Sequence, residues 1–156
     1  RGRDVRVTHG LAESLDQLER EPPMLSREAA SFIEGLPTHY LLDGGGLVVA
    51  HAGLKETLQG RGSRTVRDFA LYGETTGETD GYGLPVRYAW SEDYRGRAAV
   101  VYGHTPVAEP AWVNATLCID TGCVYGGKLT ALRWPEKELV SVPAQRTYYA
   151  PTKPLA

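Results

Sequence analysis

Three side chains able to do metal or acid–base chemistry stand at the ends of apolar runs. In "LVVAHAG", residues 47–53, an aliphatic stretch closes on His51 with Gly53 just beyond it. In "AAVVYGHTPV", residues 98–107, a second stretch runs through Tyr102 and Gly103 into His104. In "CIDTGCVYGG", residues 118–127, a third closes on Asp120, followed by Thr-Gly. A strand end is rigid and the loop after it is open. A neutral imidazole held there among small neighbours can meet a metal or a substrate. An acid on the third run can fix such an imidazole through its other ring nitrogen. The matched settings of the two histidines single them out. His9, at a helix start, and His39, opening a strand behind a proline, read as structural or surface residues.

The chain has 156 residues, 42% hydrophobic and 23% charged, which suits one domain with a real core. Its net charge of −2 gives no global field toward nucleic acid, although 13 of the 17 cations are arginine, the residue of bidentate phosphate contacts. No apolar run nears the ~20 residues of a membrane helix, and no signal-peptide pattern is present. This predicts a cytoplasmic protein without membrane contact. Cys118 and Cys123 read as reduced thiols and do not make a CxxC pair. Opening on "RGRDVRVTHG" without Met, the chain reads as a segment of something longer.

The elements that must position these residues follow from periodicity and punctuation. Thr8 is the expected cap of a helix over 11–20, with Leu11, Leu15 and Leu18 on one face, ended by Pro22 and Pro23. Ser26 is the expected cap of a second helix with an apolar side of Phe32, Ile33 and Leu36. Residues 38–43 and 47–53 read as a hairpin across the glycines 44–46. A short helix is expected over 64–71, then strands over 98–102, 116–120, 129–134 and 139–142, the last two joined by "PEKE". Between them, residues 73–97 lack sustained periodicity and read as a long functional loop, a wall of the substrate cleft. There Arg87, flanked by Tyr88 and Trp90, offers a phosphate contact beside stacking surfaces.

"VVAHAGL", "VVYGHTPV" and "CIDTGCVYGGKLTALRWPEKELVSV" resemble the second half of calcineurin-like metallophosphoesterases. The run "ALYGETTGETDGYGLPVRYAWSEDYRG" resembles, more narrowly, the phosphatase domain of bacterial polynucleotide kinase-phosphatases. The resemblance implies an α/β (α+β) fold, a partial calcineurin-like β-sandwich flanked by helices and lacking its N-terminal half. It implies residues 1–143 as the C-terminal half of the domain and 144–156 as a linker or arm to a following domain. It further implies a dinuclear divalent centre, Mn²⁺ or similar, to which His51 and His104 contribute, with Asp120 orienting or relaying a proton and Arg87 meeting substrate.

The upstream motifs of that family, Asp-x-His, Gly-Asp-x-x-Asp-Arg-Gly and Gly-Asn-His, are absent, and Asn114 is followed by Ala. The expectation is therefore a segment that is inactive alone. When complete, it would remove 3′ or 2′ phosphates from nucleic-acid ends or nucleotides, beside kinase and ligase-like domains, with exposed edges open to self-association. The alternatives are a dinucleoside-polyphosphate hydrolase, a protein phosphatase, and a non-catalytic, self-associating β-rich module.

Overall fold

A computed structural model describes residues 10–153. They fall into two compact units, one ending at Pro37 and one starting at Thr38. In the first, helices α1 (Leu11–Glu19) and α2 (Pro23–Gly35) pack on each other. Thr8 and His9 lie outside the described residues, and Gly10, left-handed at φ 79°, occupies the cap position of α1. The second helix starts three residues before the expected Ser26. Pro23 supplies a ready-made helical φ at a first-turn position whose N–H would be unpaired anyway, so it opens the helix instead of closing the previous one. Phe32, Ile33 and Leu36 remain exposed.

The second unit is built on a five-stranded sheet. Strands β1 (His39–Leu42) and β2 (Leu47–Ala50) form the expected antiparallel hairpin, turned by a 3₁₀ segment over Asp43–Gly45. After helix α3 (Arg64–Tyr72), the chain forms a small hairpin of β3 (Thr75–Thr79) and β4 (Pro85–Arg87), then the short helix α4 (Trp90–Asp93). Strands β5 (Ala99–Tyr102), β6 (Trp112–Val113) and β7 (Thr116–Cys118) complete the sheet in the order β1-β2-β5-β7-β6. Strands β8 (Lys128–Arg133) and β9 (Glu138–Pro143) pair as a separate ribbon.

The centre of the sheet is parallel: β2 pairs with β5 and β5 with β7. A strand buried on both faces reads as a continuous apolar run, as "LVVA" and "AVVY" do. Val48 and Val100, paired in register, face a cluster made with Val66, Phe69 and Ala70 of α3 and with Trp90 of α4. Leu47, Ala99 and Val101 face the other side, where Leu132 and Trp134 from the β8–β9 ribbon pack with Trp112. Each fully buried valine contributes about 1.5–3 kcal/mol. The unit is thus a mixed α/β fold with a sheet core and helices against one face. Among the described residues, no helix is long and apolar enough to cross a membrane.

Local chemistry sets the helix above the sheet. Ser63 caps α3 by accepting the Val66 N–H at 3.2 Å, and Val66, Phe69 and Ala70 at helical spacing are its buried residues. The C-terminal end is stopped by Gly73, at φ 66°. The expected loop over 73–97 is corrected by the hairpin. Asp80 Oδ1 accepts the N–H groups of Tyr82 (3.0 Å) and Leu84 (2.8 Å), so a side chain makes the turn, leaving no hydrophobic period to read.

Gly53, at φ 102°, lies so close to the Trp90 indole that an added Cβ would come within 2.1 Å of a ring carbon. Gly53→Ala should therefore lower stability by about 1–3 kcal/mol through overpacking, with backbone strain added. Urea denaturation should show a lower midpoint at unchanged slope. A midpoint equal to that of the parent would mean the indole is free to move.

Candidate active site

Parallel neighbours carry their C-terminal ends to the same edge of a sheet, where ligand sites of open α/β sheets form. Here the Val49–Val101 register projects His51 and His104 side by side, and Gly103 N–H donates to the His51 carbonyl at 2.8 Å. The His51 Nε2 and His104 Nδ1 atoms are 2.9 Å apart, and the ring centroids 4.7 Å. Beyond β2, Ala52 N–H donates to the Ala70 carbonyl at 2.7 Å, which holds the chain after His51 against α3.

His104 sits in backbone that a non-glycine residue rarely adopts. Its φ is 73°, and Thr105 N–H closes a three-residue turn onto the Gly103 carbonyl at 2.9 Å. A γ-turn of this hand is rare and strained, and such strain persists where the surroundings over-determine it.

Arg87, at the end of β4, reaches into the same place. One guanidinium nitrogen donates to the Tyr72 carbonyl; Nη2 lies 2.9 Å from His104 Nε2. Arginine only donates, so His104 Nε2 must accept. The His104 proton then sits on Nδ1 and donates to His51 Nε2, and one arginine sets the direction of the whole chain. Burial, reinforced by the Arg87 and His51 charges and opposed by Asp120, pushes the His104 pKa down to about 4. Burial also lowers that of Arg87.

Asp120 follows β7 and stands behind this group. Its Cβ lies 3.0 Å from where a Cβ on Gly103 would be, so a larger residue there would press on the acid. Its Oδ1 accepts Gly122 N–H at 3.1 Å, and its charge acts on His104 through space. His39 is held elsewhere, accepting Gly60 N–H at 3.1 Å, in keeping with a structural role. Cys118 and Cys123 are free thiols.

A cavity of about 250 Å³ opens beside the site, lined by Arg87 and His104 and by Glu74, Tyr88, Tyr102 and Thr105 among others. Sequence reasoning passed over Glu74, Tyr102 and Thr105 as site residues; Glu74 was visible only as one acid among several. Trp90, expected as a stacking surface, is instead buried at 7% exposure between Phe69, Tyr94 and Tyr102.

The donor set can be tested against a divalent ion. Two imidazole nitrogens about 2.1 Å from one ion lie about 3 Å apart at adjacent octahedral corners, and the histidine pair has this separation. The pair fits as two ligands, provided the His104 proton moves to Nε2 and Arg87 turns away. Neutral nitrogens bring no charge to balance the ion, and among the described residues no group of three or more His, Cys, Asp or Glu is placed to hold a metal.

No family model matches the chain. It is similar to the asymmetrical bis(5'-nucleosyl)-tetraphosphatase PrpE of Anoxybacillus flavithermus (strain DSM 21510 / WK1), with 48% identity over 153 residues, 96% of this chain and 62% of that protein. The protein of the same name from Geobacillus thermodenitrificans (strain NG80-2) is 50% identical over 147 residues, 92% of this chain and 60% of that one. A crystal structure provisionally described as a diadenosine tetraphosphatase superposes with a TM-score of 0.59 and 28% identity, covering 84% of this chain and 60% of that one. The chain thus spans about three fifths of the length of these curated relatives.

These similarities overturn the narrower resemblance to polynucleotide kinase-phosphatases. A match over 96% of the chain runs through residues 70–96 as well, the run on which that resemblance stood. Many of its residues serve the scaffold: Gly73 ends α3, Asp80 turns the hairpin and Trp90 fills the core. Those scaffold residues carry no information about a nucleic-acid substrate. The expected segment of a nucleic-acid phosphatase, inactive alone, falls with that resemblance. So do 3′/2′-phosphate ends, kinase domains and ligase-like domains as partners.

The shifted His104 makes stability depend on pH. Its folded-state value of about 4 lies below the ordinary 6.5, so between these pH values the unfolded chain takes up a proton that the folded one refuses. Stability in the presence of a chelator should fall as pH drops through that window, and the His104 ring should titrate near 4 by NMR; titration near 6.5 would remove the argument. In the same protein, His104→Gly should be about 1 kcal/mol more stable than His104→Ala, because only glycine relieves the positive φ.

Proposed function

We propose that this chain forms part of a metal-dependent dinucleoside-polyphosphate hydrolase of calcineurin-like type, cleaving a bis(5'-nucleosyl) tetraphosphate asymmetrically. One observation carries the reading: the similarity to asymmetrical tetraphosphatases runs across the segments that bring Arg87, His51 and His104 together at one cavity. The geometry supports it, because the Arg87 guanidinium faces the cavity while donating to two neutral acceptors. A phosphate oxygen is a stronger acceptor than either.

In the proposed reaction a water oxygen attacks the phosphorus next to one nucleoside. The bond from that phosphorus to the bridging oxygen breaks, and its electron pair leaves with the remaining three phosphates. The products are a nucleoside monophosphate and a nucleoside triphosphate. Arg87 donates to non-bridging oxygens as charge builds there. His51 and His104 would hold a divalent ion such as Mn²⁺, together with oxygen ligands from outside the described residues. That ion supplies positive charge and lowers the pKa of water. Asp120, close behind Gly103, would orient the neutral His104 ring or relay a proton.

The natural protein carrying this sequence, given Mn²⁺ and diadenosine tetraphosphate, should release equal amounts of AMP and ATP by chromatography. Two molecules of ADP, or no turnover, would defeat the reading. Arg87→Ala should cut kcat about 100-fold, as loss of a charge-stabilising donor does. Arg87→Lys should restore little of it, since an ammonium cannot reproduce the fork.

A further inference from the structure

Tyr88 and Trp90 stand next to Arg87 in the sequence, and the structure separates them. Trp90 is core. Tyr88 is 52% exposed, and its backbone is fixed, its N–H donating to the Glu74 carbonyl at 3.1 Å. Tyr72 and Tyr82 are comparably exposed, yet Tyr88 is the one of the three that lines the cavity with Arg87 and His104. Ala52, Ala89 and Val107 give other parts of that cavity an apolar surface.

The cavity therefore sets an exposed aromatic residue, on a fixed backbone, one residue from a candidate anion contact. Glu74, the acid on its wall, is paired with the Lys55 ammonium, which offsets its repulsion of a phosphate. The volume of about 250 Å³ falls below the roughly 300–1,000 Å³ that enclose a drug-sized ligand. It is too small to enclose a whole dinucleoside polyphosphate, so at most one end could enter.

We propose that Tyr88 is the platform on which a nucleobase stacks, making this cavity a subsite for the nucleoside whose phosphate meets Arg87. The assignment rests on the reading of the site as one acting on dinucleoside polyphosphates, and it adds a residue that selects for the base. Stacking on a tyrosine tolerates any base and favours the larger purine face, while a bare sugar phosphate gains nothing from it.

The test is binding, measured by calorimetry on the natural protein with Mn²⁺ present, of AMP against ribose 5-phosphate. The two probes share the phosphate and differ in the base. The parent protein should bind AMP about tenfold more tightly, the effect of one base–aromatic contact. Tyr88→Phe should keep that preference and Tyr88→Ala should erase it, with melting curves confirming that both variants fold. Equal affinities in the parent protein, or a preference that survives in Tyr88→Ala, would overturn the subsite. Hydrolysis of diadenosine tetraphosphate reports on the other reading: absent turnover with an intact base preference defeats the tetraphosphatase alone, and turnover without a base preference defeats the Tyr88 subsite alone.

Discussion

Everything at the site stands on the parallel pairing of β2 with β5. Leu47, Val48 and Val49 lie opposite Ala99, Val100 and Val101, and both strands are covered on two faces. A slip of one residue would turn Val48 toward the ribbon and Val49 toward α3, and every aliphatic would meet the wrong neighbour. Packing on two faces thus enforces a register that chemistry needs for a different reason. It is what sets the His51 carbonyl against the Gly103 N–H, and hence one imidazole against the other. The precision of the histidine pair comes from the core beneath it.

Above that foundation the site is a chain of directed hydrogen bonds. Arginine can only donate, so His104 accepts on one nitrogen and donates from the other. The strained turn at His104 makes this possible by swinging the ring out of the strand direction toward both partners. Natural sites accept local strain of this kind where the surrounding fold holds them to it. The tight fit of Gly103 against Asp120 belongs to the same arrangement, since it brings a negative charge close to a ring kept neutral by burial.

The central strands, the helix α3 and the matched strand-end settings of His51 and His104 could be read from the chain because aliphatic runs and helical spacing are local signals. The β3–β4 hairpin could not, since its turn depends on the Asp80 carboxylate rather than on periodicity. Nor could the start of α2, where Pro23 reads equally as a stop and as a first turn. The two-residue strand β6 carries too few positions to show a period. Arg87 could be singled out in the sequence as a candidate phosphate contact, but its bond to His104 could not be read, because no local rule links residues 17 positions apart. The substrate misreading has a related cause: a long run of matching residues was given the weight of a functional signature when most of it builds scaffold.

The distance along the chain between the site's parts has a kinetic consequence. His51 and His104 are 53 residues apart, and the strands that deliver them meet only through a crossover that includes α3 and the β3–β4 hairpin. Parallel pairing of this kind closes a long loop before any contact repays the lost entropy, which makes it a slow event in folding. The β1–β2 hairpin and the β8–β9 ribbon are local and can form early. A nascent or partly folded chain can therefore form its local hairpins but no histidine pair, and the groups of the candidate site come together only as the central sheet closes.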